Sequence, residues 1–412
     1  MSFHKITIND FLEYGENRVI DYVESIKSSY IVLIKIDEFK YLNFSMKSKI
    51  SKKLQKRFAK KLFQYMPKHC GFEKIYLLER GEFIFVKPYD RKKSEEEFIR
   101  YIKEFQLNIN SAKIKIGLVD YTLSIVISLA YGENALESVK VGMRKLKETK
   151  DEFIFANSLL EEEKKFAVQK LETFKMIRLA INNYRIVSYF QPIVNNHTQS
   201  IEKYESLVRL IDKNSKIVSP YFFLETAKEG KYYQEITSIV LHNSFRALFE
   251  TDMGISINLS TLDMEDKRIQ ETFFILLEKY RTETHRITVE IIEDEKVRKL
   301  DKVKKFINTI KERGVKIAID DFGDGFSNFS RVLDYNPDYI KIDGSLIKNI
   351  ETNKISQSMV DTIVYFCKKQ KIKTIAEFVE NETIYNIICK LGVDYSQGYY
   401  FGKPEILKRE LI

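Results

Sequence analysis

The sequence predicts two folded parts of different architecture, an α+β domain first and a TIM-type (β/α)8 barrel after it. Three observations carry this. From Tyr184 onward, short apolar strand-like runs alternate with amphipathic helical ones, the rhythm of a repeated βα unit. Eight strand candidates fall within about 230 residues, the usual size of such a barrel. Polar residues interrupt those runs near their C-terminal ends, where a barrel gathers its functional groups around one mouth. A doubly wound open sheet would more often carry a Gly-rich phosphate loop after its first strand, and the sequence has none there.

Composition agrees with a soluble mixed α/β protein. A chain of 412 residues with 44% hydrophobic content has room for two or three cores. No apolar segment approaches a membrane span, and the N-terminus MSFHKITIND lacks the basic start and apolar centre of a signal peptide, so a cytoplasmic protein is expected. Cys70, Cys367 and Cys389 are far apart, and the five histidines lack ligand spacing, which argues against structural zinc and leaves oxygen ligands for any metal. The net charge of +9 arises from 68 basic and 59 acidic side chains, a solvated surface more than a nucleic-acid footprint; no nucleic-acid polymer is expected as partner.

The barrel strands are read at YFQPIV (189–194), IEKYESLVRL (201–210), GISINLS (254–260), ITVEIIE (287–293), VKIAIDD (315–321), YIKIDG (339–344), KTIAEFVE (373–380) and YSQGYYFG (395–402). A long helical stretch is expected from Phe222 to Phe249, and amphipathic helices over 301–314 and 355–370, the latter on the spacing of Ile355, Met359, Ile363 and Phe366. In the first half, 29–44 and 121–132 read as strands and 74–88 as two strands with a turn at Arg80-Gly81. Helices are read over 47–61, with a core face of Ile50, Leu54, Phe58 and Leu62, and over 138–150. The expected boundaries are an unassigned segment 1–20, an α+β domain 21–157, a Gly- and Pro-free helical connector 158–181 and the barrel 182–412.

The strand ends carry Glu205, Asn258, Glu290, the pair Asp320 and Asp321, Lys341 and Glu377. Each alone is an ordinary loop entry or helix cap. Gathered at one mouth, five carboxylates repel one another unless cations join them, and Lys341 cannot neutralise them all. This suggests metal-assisted phosphodiester hydrolysis, with paired Mg2+ or Mn2+ ions neutralising phosphate oxygens and acidifying a water. A Lys beside cations has a depressed pKa, which would suit Lys341 as a general base, and Arg209 is a candidate phosphate clamp.

The segments YESLVR, SINLS, ITVEIIE, IAIDDFGDGFSNF, YIKIDG, TIAEFVE and SQGYYFGKP, in this order over roughly 174–404, resemble the signature motifs of the EAL-domain cyclic di-GMP phosphodiesterases. The resemblance implies cleavage of cyclic di-GMP, a bacterial second messenger, to linear pGpG. It implies that Glu205, Asn258, Glu290, Asp320 and Asp321 ligate two metal ions, with Lys341 serving the hydrolytic water. Glu377 and Gln397 match further active-site positions, Arg209 and Gln191 substrate contacts, and Glu293 and Glu380 positions that steady the loop after the paired aspartates. A homodimer is expected. Departures are Ser206 for Ala, Asp324, Phe326 and Asn328 in the loop, and Phe378 for a usual Gly. These motivate the alternative of a receptor that binds cyclic di-GMP without cleaving it; an unrelated barrel hydrolase is the third reading.

The first half is similar to a GGDEF domain, in degenerate form. IVLIKIDEFKYLN resembles its metal strand and LLERGEFIFV its hairpin, where the signature reads Glu79-Arg80-Gly81-Glu82-Phe83. Lys35 stands where a metal-binding Asp is usual, and the product-inhibition site would fall on Cys70 and Glu73. The resemblance therefore implies a regulatory or dimerising domain without cyclase activity. GTP binding without turnover rests on Glu82 and Asp37 alone.

Overall fold

A computed structural model of the chain describes residues 12–37, 39, 48–72, 74–78, 81–90, 94–116, 119–122, 124–292, 300–323 and 334–407. The chain divides into two compact units, Met1–Gln169 and Lys170–Ile412.

The first unit is built on strands β1 (Leu12–Tyr14), β2 (Ser29–Ile36), β3 (Ile75–Leu77), β4 (Glu82–Pro88), β7 (Ile125–Gly132) and β8 (Phe153–Phe155), in the order β1-β3-β4-β2-β7-β8, with a separate hairpin of β5 (Lys113–Ile116) and β6 (Val119–Thr122). Central β2 is antiparallel to both neighbours. Helices cover both its faces, and so its central YIVLI is buried throughout where a one-sided strand would alternate. Tyr30, Val32 and Ile34 pack with Phe58, Phe83 and Phe105. Ile31 and Leu33 pack with Val19, Val139 and Met143 on the other face. Leu54, Phe58 and Leu62 give helix Ser48–Tyr65 the expected core face.

Two sequence readings change here. Residues 121–132 are not one strand: β6 pairs with β5, whereas β7 starts afresh at Ile125, whose amide the Asn110 side chain accepts at 3.0 Å. The unassigned start contributes β1, parallel to β3, and the head of helix Glu16–Ile26.

The second unit is a closed barrel. Strands β9 (Ile186–Asn195), β10 (Ser200–Ile211), β12 (Gly254–Ser260), β13 (Ile287–Ile292), β14 (Lys316–Phe322), β15 (Tyr339–Ile342), β16 (Lys373–Ala376) and β17 (Tyr395–Gln397) follow one another around it, and the two-residue β11 (Ile217–Val218) is appended to β10. The expected α/β barrel is present, with one strand reversed. β10 and β12 to β17 are parallel, but β9 is antiparallel to both β10 and β17. Only Asn196–Gln199 join β9 to β10. So short a link closes a hairpin, whereas a parallel pair needs a crossover of a dozen or more residues.

The stretch from Phe222 to Phe249 is two helices, Leu224–Glu229 and Tyr233–Ala247. They break at Gly230, where an added Cβ would lie 2.3 Å from the Phe174 ring, and at Lys231 in a left-handed turn (φ 62°). Helix Lys354–Gln370 forms as expected, but Ile355 and Met359 are exposed and its core face is Val360, Ile363, Val364 and Cys367. Leu159–Asn182 is one continuous helix, and the division between units falls inside it. Among the described residues, no helix is long and apolar enough to cross a membrane.

Candidate active site

Low in the barrel lumen Ile193, Ala318, Tyr339, Ile375 and Tyr395 pack together. The acids gather at the C-terminal ends of the strands. Lys341 on β15 is 1% exposed, because Ile340 and Ile342 point outward to the helices and alternation turns Lys341 inward. Its Nζ lies 2.8 Å from Glu290 Oε2, 2.8 Å from Glu377 Oε1, 3.0 Å from Asp320 Oδ1 and 3.6 Å from Glu205 Oε2. Four carboxylates, three from strands and one from the segment just after β16, thus converge on one ammonium.

Glu205 is the best-held of them. Its oxygens accept from Asn258 Nδ2 at 2.7 Å and from Gln397 Nε2 at 2.5 Å. Gln397 also donates to Gln191 Oε1, and Gln191 donates to the Gly402 carbonyl.

Asp320 and Asp321 pose a geometric problem, since adjacent strand residues normally face opposite ways. The register of β14 against β15 shifts between Ile319 and Phe322, and Asp321 takes a left-handed backbone with φ 50°. This local bulge re-aims a side chain. As a result, carboxylate oxygens of Asp320, Asp321 and Glu377 lie within 4.8 Å of one another.

Burial and mutual charge set the proton affinities. Burial pushes the Glu290 carboxyl up to about 7, with Glu205 and Asp320 adding to the effect against the pull of Lys341. Glu377 is raised well above the carboxylate range for the same reasons. Burial also works to raise Glu205, but Lys341 and the Gln397 and Asn258 hydrogen bonds outweigh it and hold Glu205 low. Burial alone would lower Lys341; Asp320, Glu205, Glu290 and Glu377 instead hold it well above its ordinary value. The depressed pKa expected of Lys341 therefore does not arise from the protein's own groups.

The donor set fits an oxygen-ligated divalent ion. Asn258 Oδ1, Glu290 Oε1 and Gln397 Oε1 are buried with no hydrogen-bond partner among the described residues, beside a three-carboxylate cluster. Orphaned acceptors of this kind are rare in folded proteins and call for a cation or water.

The site opens into a cleft of about 300 Å³ whose lining includes Gln191, Arg209, Phe378, Glu380 and Tyr399 besides the acids. Arg209 is half-buried there; Glu380 is exposed at the rim. Glu293, Asp324, Phe326 and Asn328 lie outside the described residues. Ser206 points away from Glu205 and donates nothing to the site; its hydroxyl accepts from Ser244 at 2.7 Å.

Phe378 keeps the left-handed backbone, φ 53°, that a glycine would adopt freely. For a side chain with a Cβ this costs about 1–2 kcal/mol. Its ring lies over Gly344, where an added Cβ would meet it at 2.1 Å, and Lys348 Nζ sits 4.1 Å from the ring centroid.

Two contributors escape the sequence reading. Asp263, 1% exposed, accepts from Tyr233, Thr237 and Ser260 and completes a capping box just after β12, which fixes the strand that carries Asn258. The S-x-x-D spacing of Ser260 and Asp263 was its available signal. Lys203, two residues before Glu205 and so on the same inward face, is buried against the Tyr339 ring.

In the first unit, Lys35 and Glu82 face each other across β2 and β4, with Nζ 2.7 Å from Oε1. Cys70 is buried, and Glu73, Glu79 and Arg80 lie outside the described residues.

Residues 175–404 match the family model for the EAL domain. Cyclic di-GMP phosphodiesterase PdeF of Escherichia coli is 32% identical over 209 residues, covering 50% of this chain and 28% of that protein. Signaling protein YkoW of Bacillus subtilis is 26% identical over 393 residues, covering 92% of this chain and 48% of that protein. The chain thus spans less than half the length of either curated relative. Among solved structures, an EAL domain protein from Listeria monocytogenes is 27% identical with a TM-score of 0.50, covering 56% of this chain and 93% of that one. The FimX EAL domain from Pseudomonas aeruginosa, bound to c-di-GMP, shares the fold at 24% identity and a TM-score of 0.54, covering 58% and 99%.

Proposed function

Because the chain belongs to the EAL domain family, we propose that its second unit is a Mg2+- or Mn2+-dependent phosphodiesterase that opens one ester of cyclic di-GMP to give linear pGpG. The observation that carries this is the surplus of anionic oxygen around Lys341, with four carboxylates within 4 Å of one ammonium and orphaned acceptors beside them.

Glu205, Asn258, Glu290, Asp320 and Asp321 would hold the metal. When bound, it supplies positive charge to the phosphate oxygens and lowers the pKa of water. Lys341 holds the acids of β13, β14 and the segment after β16 in one place, and its retained proton suits it to orient the attacking water by hydrogen-bond donation. Glu377, partly open to the cleft and 2.8 Å from Lys341 Nζ, is the further carboxyl placed to exchange a proton at the reacting centre. Arg209 at the cleft wall suits a phosphate oxygen, and the Gln191–Gln397 pair steadies Glu205.

For the first unit we propose a GGDEF-like fold without cyclase activity. Support comes from Lys35, whose ammonium occupies the partner position of Glu82 and leaves little call for a metal there. Exposed Ile355 and Met359 on one helix of the barrel unit suit a homodimer contact.

The purified chain, incubated with cyclic di-GMP and either metal, should form pGpG, and GTP should leave no cyclic product. Absence of pGpG under both metals, or full activity in Glu205→Ala, would sink the hydrolase reading. Tight binding without turnover would select the receptor alternative.

A further inference from the structure

We propose that Phe378 is a stacking platform for one purine base of the dinucleotide substrate, an inference that rests on the phosphodiesterase reading. The starting point is an imbalance at this residue. Phe378 is 48% exposed while its neighbours Ala376 and Val379 are fully buried. It holds a left-handed backbone that disfavours any side chain, at the position directly after Glu377. An aromatic ring kept in a strained place, half in water, contributes little to the core. Strain of this kind collects at ligand sites.

The ring is also fixed. The Val379 amide donates to the Gln397 carbonyl at 3.0 Å, and the Tyr400 amide donates to the Val379 carbonyl at 3.1 Å. Gly398 passes so close that an added Cβ would meet the Val379 carbonyl oxygen at 2.1 Å. Gly344, lacking a Cβ, lets one part of the ring rest on the backbone. The segment is therefore clamped on both sides, and the ring belongs to the same cleft wall as Arg209, Asp320, Lys341 and Glu377. A phosphodiester at the acidic centre would place its nucleoside bases along that wall.

Lys348, an exposed side chain, now sits over the ring. An exposed cation–π contact is weaker than base–aromatic stacking, so a purine would displace the lysine. A purine's wide π-face suits this surface regardless of its hydrogen-bonding edge. The site thus reads the base's presence and leaves its identity to other groups.

The test compares wild type, Phe378→Gly and Phe378→Tyr as full chains with Mn2+, on cyclic di-GMP and on glycerophosphocholine, a diester with neither bases nor aromatic rings. Glycine relaxes the backbone at this φ, so folding should hold, and a thermal melt checks it. We expect Phe378→Gly to raise KM for cyclic di-GMP about tenfold, equivalent to about 1.4 kcal/mol, with kcat little changed. The base-free diester should be unaffected, and Phe378→Tyr should behave as wild type. An unchanged KM, or an equal loss on both diesters, overturns the platform while leaving the hydrolase reading intact. If wild type binds cyclic di-GMP without turnover, the same tenfold change is expected in Kd. Failure of wild type to bind it at all overturns both.

Discussion

Each unit sets an inward or half-buried lysine against acid from neighbouring segments, but in different proportions. In the first, Lys35 pairs with Glu82 while the Lys147 ammonium lies beside both, and the Lys35 and Glu82 side chains remain a quarter to a third exposed. In the second, Lys341 meets Glu205, Glu290, Asp320 and Glu377 with almost no exposure. The first cluster already holds more cation than acid and is screened by water. The second is short of positive charge where water cannot supply the difference, and there the protein creates a demand for an added cation. Stoichiometry and burial together, more than the presence of acids, separate a site from a surface ion pair.

Removing each lysine is the sharpest way to break this comparison. Lys341→Met strands buried carboxylates and should cost about 3–5 kcal/mol in chemical denaturation. Lys35→Met should cost less than about 1 kcal/mol, as for an ion pair in partial contact with water. Similar losses at the two positions would refute the distinction.

Metal binding comes next. Mn2+ should raise the melting temperature of the wild type, with stabilisation of about 2.7 kcal/mol at a hundredfold excess over Kd. Asp320→Asn should lose most of that gain, while Glu82→Gln should keep it. A wild type indifferent to Mn2+ and Mg2+ would remove the basis for a cation site.

A smaller effect concerns pH. Glu290 has its folded pKa raised from 4.5 to about 7, so between those values the folded state holds more protons than the unfolded one. Its contribution therefore favours folding below pH 4.5 and is lost as pH rises through about 7. In chelator, Glu290→Gln should flatten this slope and stabilise the protein at pH 8 by about 1–2 kcal/mol, even as activity disappears. Guanidinium melts of both proteins at pH 5 and pH 8 measure it; a mutant less stable at pH 8 would show that Lys341 needs all four acids.

Much of the second unit was legible in its sequence. Strand periodicity located the barrel strands, and alternation within YIKID turned Lys341 inward and its isoleucines outward. The reversal of β9 was hidden, because a six-residue apolar run reads the same in either direction. Its signal lay in the short Asn196–Gln199 link. The break at Gly230 and the outward face of Ile355 and Met359 were missed because periodicity reports a helix but not which neighbours meet it.

Taken alone, the sequence determined which residue types stand at the strand ends, since that follows from local pattern. It also specified that the acids outnumber the lysine. Tertiary structure decided the rest. A bulge at Asp321 put two adjacent carboxylates on one side, closure of the barrel brought four acids to Lys341, and those acids hold its proton affinity up against the opposing effect of burial. The left-handed turn after Glu377 likewise set the Phe378 ring at the cleft. Distances and dielectric are properties of the assembled fold, and proton affinity and cation demand depend on both.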